Sequence, residues 1–184
     1  MESIKEIFRI GNGPSSSHTM GPRKAAEIFK SKFNDAVSYS ATLYGSLAAT
    51  GKGHLTDVAL VKAFEPKEVK IIWEPETFLP KHPNGLKLEA FDSDKKVIGN
   101  WTVYSVGGGK ITDFESDESE NKLYDLTMMS DILAWTKKTG KSFWEYVVSV
   151  EGTEIYDYLQ EVWSVMTNSI KRGIENEGIL PGGL

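Results

Sequence analysis

Apolar and polar residues alternate along the chain with two different periods. In residues 22–33 apolar side chains recur every fourth residue, which predicts a helix with Pro22 in its first turn. In 36–44 they alternate with serine and threonine, which predicts a strand buried on one face. A glycine-rich loop is expected after this strand, and the composition of 55–64 then favours a second helix.

The middle of the chain contains three further predicted strands, 69–73, 86–92 and 97–106. The polar turn 93–96 joins the last two strands as a hairpin, and the glycines 107–109 are expected to end the last one. An order of helix, strand, helix and then three strands predicts an α+β fold with a mixed four-stranded sheet packed with helices.

The chain after about residue 126 is expected to be helical. Ser130 and Ser142 are candidate N-caps for two helices, and a longer amphipathic helix follows. The apolar stripe of this helix, with steps of three and four, consists of Ile155, Leu159, Val162, Met166 and Ile170. The pattern divides the chain into an α+β domain, 1–125, and a helical extension, 126–184, whose aromatic residues are predicted to be core.

Composition narrows the class of protein. The 184 residues carry 21 basic and 26 acidic side chains, a net charge of −5, which gives no reason to expect nucleic acid as a partner. The absence of cysteine excludes disulfides and any iron–sulfur cluster held by this chain alone. No apolar run or leader indicates a membrane or secreted protein, so a cytoplasmic protein is expected. The acidic run 113–120 is expected to be a solvated loop.

The three histidines all lie in segments rich in glycine or proline. His18 lies in SSSHT, His54 in GKGH and His82 in KHPNG. Loops on a rigid scaffold concentrate catalytic groups, and imidazole transfers protons near neutral pH. Three solvated surface residues are the alternative. A zinc site of three histidines lacks paired spacing, and a serine–histidine nucleophile lacks its usual elbow motif.

Three serines and a threonine surround His18 in the segment 13–22, just before the first predicted helix. Hydroxyl and backbone N–H groups at a helix start can bind a carboxylate or phosphate. The alternative is a single N-cap for the helix, which requires only one such residue. The residues therefore leave two possibilities open, an anion-binding loop with a nearby histidine and a helix cap.

Six segments, in order along nearly the whole chain, are similar to those of one enzyme family. They are 13–22, 44–47, 51–57, 82–85, 104–109 and 177–183. The chain resembles the iron–sulfur-dependent L-serine dehydratases, and within them the β region that forms the amino-terminal domain of single-chain members. The resemblance also implies a fold similar to the substrate-like effector domain of bacterial 3-phosphoglycerate dehydrogenases.

The resemblance implies deamination of L-serine to pyruvate and ammonia. A [4Fe–4S] cluster would be held by cysteines of a separate α region, and this chain would supply none of its ligands. His54 would be the general base, and His18 would hold the substrate or polarise its leaving group. The residues expected to bind substrate are Ser15, Ser16, Ser17, Thr19, His82 and Asn84.

The resemblance further implies that this chain is either a piece of a longer enzyme or a separate subunit. The expected partners are a cysteine-bearing α domain or subunit, L-serine and further copies of the chain in a homo-oligomer. The alternative is a non-catalytic regulatory module that binds a small anion or an amino acid. A purely structural dimerisation domain is a third possibility, but it leaves the polar loop around His18 unexplained.

Overall fold

The computed structural model describes residues 1–115 and 122–179. Residues 116–120 of the acidic run and the terminal residues 180–184 lie outside these ranges, as does part of the motif 177–183. Contacts between Cα atoms divide the described chain into two units. One comprises 11–115, and the other comprises 1–10 together with 122–179. The predicted domain boundary at residue 125 stays a prediction.

The first unit has an α+β fold around one sheet, as predicted. Its helices are α1 (Gly21–Lys32), α2 (Gly45–Thr50) and α3 (Thr56–Phe64). Its strands are β1 (Ser38–Tyr44), β2 (Glu68–Glu74), β3 (Gly85–Phe91), β4 (Val97–Gly107) and β5 (Lys110–Thr112). The spatial order is β2-β1-β3-β4-β5, with β1 and β2 parallel and the other neighbours antiparallel.

The sheet within 11–115 has five strands, so the predicted count of four was wrong. The additional strand, β5, has only three residues, too few for alternation to reveal it in the sequence. The glycines 107–109 do not simply end β4 but turn the chain back on it, with φ values of +103°, +56° and +72°. Glycine adopts such angles without the steric cost of a Cβ atom.

The loop expected after β1 is helical in its first half, because 45–50 form α2. The core lies between the sheet and its helices. Because side chains alternate between the two faces of a strand, every second residue of β1 and β3 points into this core. Tyr39, Ala41 and Leu43 of β1 face the same side as Leu86 and Leu88 of β3, and all five are at most 2% exposed. Burying each leucine contributes on the order of 2 kcal/mol.

The strand register brings three chain segments to one edge of the sheet. Leu43 near the end of β1 pairs with Leu86 near the start of β3, and Gly85 pairs with Tyr104 near the end of β4. The segments that follow β1, precede β3 and end β4 therefore meet. The start of α1 also reaches this edge, since a Cβ atom added to Gly21 would lie 2.1 Å from Ser105 Oγ.

The second unit contains α4 (Met129–Thr139), α5 (Phe143–Glu151) and α6 (Ile155–Glu175). Ser142 caps α5 as predicted, in a capping box with Glu145. Ser130 does not cap α4, because that helix already begins at Met129 and Ser130 lies inside its first turn. A small core forms around Tyr124, Ile132 and Tyr146.

The prediction that the aromatic residues of these helices are core was wrong for three of them. Phe143, Trp144 and Trp163 are 48%, 61% and 61% exposed. The apolar stripe of α6 is likewise open to solvent at Met166 and Ile170. Helical periodicity identifies an apolar face but does not say what covers it.

Candidate active site

The serines before α1 build a π-helical turn, Ser16–Met20, that leads directly into that helix. Ser15 is extended, and its Oγ accepts a hydrogen bond from the His18 backbone N–H at 3.1 Å. This bond is a side-chain cap, so one serine serves the capping role that the sequence left open. Ser17 Oγ lies 2.9 Å from Nδ1 of His18, and Ser16 is exposed at the start of the turn.

His18 and His54 are brought together by the fold. Their ring centroids are 4.8 Å apart, with 34° between the planes. Partial burial lowers the pKa of His18, the neighbouring His54 lowers it further, and the Ser46 backbone carbonyl opposes both with a smaller effect. His18 is therefore held in its neutral form at physiological pH, since protonation would add a charge to a partly desolvated ring beside another histidine.

His54 follows α2 in a turn, and its backbone N–H donates to the carbonyl of Thr50, the last residue of that helix, at 3.3 Å. Its Nδ1 lies 2.9 Å from the carbonyl oxygen of Thr50. A carbonyl only accepts hydrogen bonds, so Nδ1 must carry the proton. In the neutral ring Nε2 then has a free lone pair, which makes it the atom able to accept a proton from a ligand.

Thr19 is buried, and its hydroxyl has two partners. It donates to the backbone carbonyl of His54 at 2.7 Å and accepts from the backbone N–H of Ser15 at 3.3 Å. The structure thus connects Thr19 to the second histidine segment. Its predicted contact with substrate stays a prediction, as do those of the three serines.

His82 and Asn84 lie in the loop that precedes β3. The backbone N–H of Asn84 donates to His82 Nδ1 at 3.1 Å, which leaves the proton of the neutral ring on Nε2. The Asn84 side chain donates through Nδ2 to the carbonyl of Ser105 at 3.3 Å, and the Ser105 N–H donates to the Asn84 carbonyl at 3.0 Å. The loop is therefore fastened to the end of β4.

A closed path of contacts links this loop to the two histidines. The Ser46 N–H donates to the carbonyl of Pro83 at 3.1 Å. The Ser46 carbonyl lies close enough to the His18 ring to favour its protonated form. On the other side Asn84 binds Ser105, which packs against Gly21, the residue that follows the π-helical turn. The predicted site residues thus belong to one region at the edge of the sheet.

Three polar atoms on this path are buried without a hydrogen-bond partner among the described residues. They are Nε2 of His18, Oδ1 of Asn84 and Oγ of Ser105. Most buried polar atoms in proteins are paired, so these three are available to a ligand or to water. Sequence reasoning missed Ser105 because it lies inside an ordinary strand, and only its position beneath Gly21 distinguishes it.

The donor atoms of this chain do not fit an iron–sulfur cluster. The sequence has no cysteine, and residues 1–115 and 122–179 contain no group of three or more histidine, aspartate or glutamate side chains able to hold a metal ion. Within the same ranges, none of the helices is both long enough and apolar enough to span a bilayer.

The fold and the paired histidines define a class of protein, an α+β domain with imidazole groups at one edge of its sheet. The family model described as "Serine dehydratase beta chain" matches residues 3–70 and 62–116, which together cover more than half of the chain. The chain belongs to this family.

Individual relatives agree with the family. The chain is 32% identical to L-serine dehydratase 1 of Escherichia coli, 31% to L-serine dehydratase of Streptomyces coelicolor and 33% to that of Helicobacter pylori strain J99. These alignments cover 99–100% of this chain and 51–52% of each relative. The chain therefore spans about half the length of the curated relatives it matches.

Proposed function

We propose that this chain is the β region of an L-serine dehydratase and contributes acid–base and substrate-binding residues to the conversion of L-serine to pyruvate and ammonia. The names of the relatives support the reaction, and membership of the family supports the role as a β region. The observation that carries the proposal is the hydrogen bond from His54 Nδ1 to Thr50, because it leaves Nε2 as a base.

The reaction requires removal of the Cα proton of serine, a very weak acid in water. Nε2 of His54 takes this proton, and the β-hydroxyl group leaves as water after the His54 imidazolium returns the proton to it, which restores the neutral ring. The aminoacrylate that forms tautomerises and adds water, which releases ammonia and gives pyruvate. The His54 imidazolium keeps its bond to the Thr50 carbonyl, and a neutral His18 adds no repulsive charge to it.

We assign His18 to the substrate hydroxyl group, which it holds or polarises, and the serine-rich turn to the substrate carboxylate and ammonium groups. Ser15, Ser16 and Ser17 provide hydroxyls at the start of the turn, where backbone N–H groups favour an anion, whereas the Thr19 hydroxyl hydrogen is already donated to the His54 carbonyl. His82 and Asn84 complete the wall of the site. The contact path through Ser46 and Ser105, which links this loop to the two histidines, supports this assignment.

The proposed partner is a cysteine-bearing α domain or subunit, which holds the [4Fe–4S] cluster and without which this chain is inactive. Support comes from the share of the relatives that this chain matches, about half of each, and from the absence of cysteine. L-Serine is the proposed substrate, the assembly is a homo-oligomer, and the enzyme is cytoplasmic.

The test replaces His54 by asparagine in the complete enzyme. The asparagine Nδ2 can still donate to Thr50 but offers no base, so we expect turnover to fall by about 10²–10⁴-fold with little change in serine binding. Lys52→Ala, in the same turn, is the control and should keep normal turnover. Near-normal turnover of His54→Asn contradicts the assignment. Tight serine binding by this chain alone, with no pyruvate formed by the assembled enzyme, indicates the regulatory module instead.

A further inference from the structure

The two histidine segments are joined by a reciprocal pair of hydrogen bonds. Thr19, directly after His18, donates its hydroxyl hydrogen to the carbonyl of His54 at 2.7 Å. Thr56, two residues after His54, donates its hydroxyl hydrogen to the carbonyl of His18. Each threonine therefore holds the backbone of the histidine that lies in the other segment.

Both threonines are enclosed by protein, with Thr19 3% and Thr56 0% exposed. Removal of either hydroxyl therefore leaves a partly buried carbonyl without that donor. A β-branched side chain also has few rotamers, which fixes the direction of its hydroxyl. The pair is consequently a rigid connection and not a solvated surface contact.

The backbone around the two bonds is constrained as well. The Thr56 N–H donates to the Gly51 carbonyl at 2.9 Å, and the Ser15 N–H donates to Thr19 Oγ1. Leu55, between His54 and Thr56, has φ +56° and thus turns the chain sharply at this point. Left-handed backbone at a leucine costs on the order of 1 kcal/mol and persists only where its surroundings enforce it.

We propose that Thr19 and Thr56 are positioning residues that set the spacing and tilt of the His18 and His54 rings. This inference rests on the proposed function for its effect on turnover, but not for its effect on the rings themselves. Because each ring is carried by a backbone segment that the opposite threonine holds, the 4.8 Å separation depends on both bonds. Thr19 then acts through His54.

The first test uses the 184-residue chain without any partner. Thr56→Val keeps the shape of the side chain but removes the donor, whereas Thr56→Ser keeps the donor. Histidine ring ¹⁵N–¹H spectra across a pH titration report the tautomer of His54 and the mutual influence of the two rings. We expect the valine variant to shift the His18 ring resonances and to weaken the mutual influence of the two rings, because Thr56 holds the His18 backbone. The serine variant should resemble the wild type.

The second test measures kinetics in the complete enzyme. A displacement of about 1 Å at a catalytic group can cost about 100-fold in rate, so we expect Thr56→Val to lower kcat by about 10–100-fold with KM changed less than about threefold. Thr56→Ser should restore most of this loss. Thr19→Val provides an independent variant, and the double valine variant should lose much less than the product of the two single losses, because both bonds hold the same pair of rings.

The outcomes separate the two proposals. Wild-type ring spectra in both folded valine variants, or serine variants as impaired as the valine ones, would overturn the positioning role. If a valine variant does not fold, the alanine variant at the same position, which also lacks the donor, is compared with the serine variant by the same ring spectra. If the ring spectra change as expected but His54→Asn keeps normal turnover, the positioning role stands and the proposed catalytic function fails.

Discussion

The two units of the chain use the same helical periodicity with opposite results. In the sheet unit the apolar face of α1 is covered, and Phe29 is 0% exposed. In the helical unit the apolar face of α6 is open, with Met166, Ile170 and Ile174 exposed by 44%, 56% and 79%. A periodic pattern therefore fixes which residues share a face of a helix, whereas burial depends on what the rest of the fold brings against that face.

The two units also differ in the residues they offer for catalysis. The sheet unit holds all three histidines, and its buried core gives the edge segments a fixed frame. Loops on such a frame can hold catalytic groups at defined distances, as the His18–His54 pair illustrates. The helical unit has a small core around three residues and a much larger share of its apolar side chains in solvent.

The largest expected effect comes from truncating one apolar residue in each unit. Leu88→Ala creates a cavity in a core position that is 0% exposed and should lower the free energy of unfolding of the sheet unit by about 3 kcal/mol. Ile170→Ala, on the open face of α6, should change the stability of the helical unit by less than about 0.5 kcal/mol. Peptide-resolved hydrogen exchange measures both. An equal loss in the two variants would mean that the α6 face is covered in solution.

Glycine to alanine substitutions should also affect the two units differently. Gly21→Ala places a Cβ atom 2.1 Å from Ser105 Oγ and 3.0 Å from Ser105 Cβ, so overpacking should cost about 1–3 kcal/mol. Gly173→Ala meets no atom within 4 Å inside α6 and should stabilise that helix by up to about 1 kcal/mol. Urea denaturation followed by circular dichroism measures both changes.

The control for Gly21 is the double variant Gly21→Ala/Ser105→Gly, in which the conflicting side chain is absent. It should recover a substantial part of the loss caused by Gly21→Ala alone. If the double variant is no more stable than Gly21→Ala, contact with Ser105 is not the cause. A Gly21→Ala variant as stable as the wild type would show that α1 can move away from β4 without cost.

The main elements of the fold could be predicted because local patterns are sufficient to reveal them. Alternation identifies β1, and Ser142, a residue type favoured at N-caps, indicates the start of α5. The short strand β5 could not be found this way, because its three residues pair only once the chain has turned back at the glycines 107–109.

Some features of the candidate site could likewise be predicted from local sequence, whereas others depend on tertiary packing. The glycine- and proline-rich surroundings of the histidines identify them as candidates without placing them together. The approach of His18 to His54, and the crossed bonds of Thr19 and Thr56, depend on tertiary packing over 35 and 38 residues of sequence. Ser105 has no local signal at all, since a serine in a strand is ordinary until Gly21 packs on it.

The smallest expected effect concerns Glu151, which ties the first residues of the chain to α5. Ser3 Oγ donates to its carboxylate at 2.7 Å, and the Ile4 N–H and the Tyr124 hydroxyl each donate at 2.8 Å. Burial opposes ionisation of Glu151, but these three donors together with the charge of Lys5 favour it more, so its pKa lies below the usual value.

A folded-state pKa below that of the unfolded chain gives stability that is complete above the unfolded value, about 4.3, and is lost as the pH falls through the folded value. Glu151→Gln should abolish this pH dependence, whereas Glu161→Gln, on the exposed surface of α6, should keep it. The difference stays below about 1 kcal/mol because solvent screens the partly exposed carboxylate. Urea denaturation at pH 6, 4.5 and 3 measures it. If wild type and Glu151→Gln lose stability in parallel as the pH falls, this carboxylate does not hold the first residues to α5 by its charge.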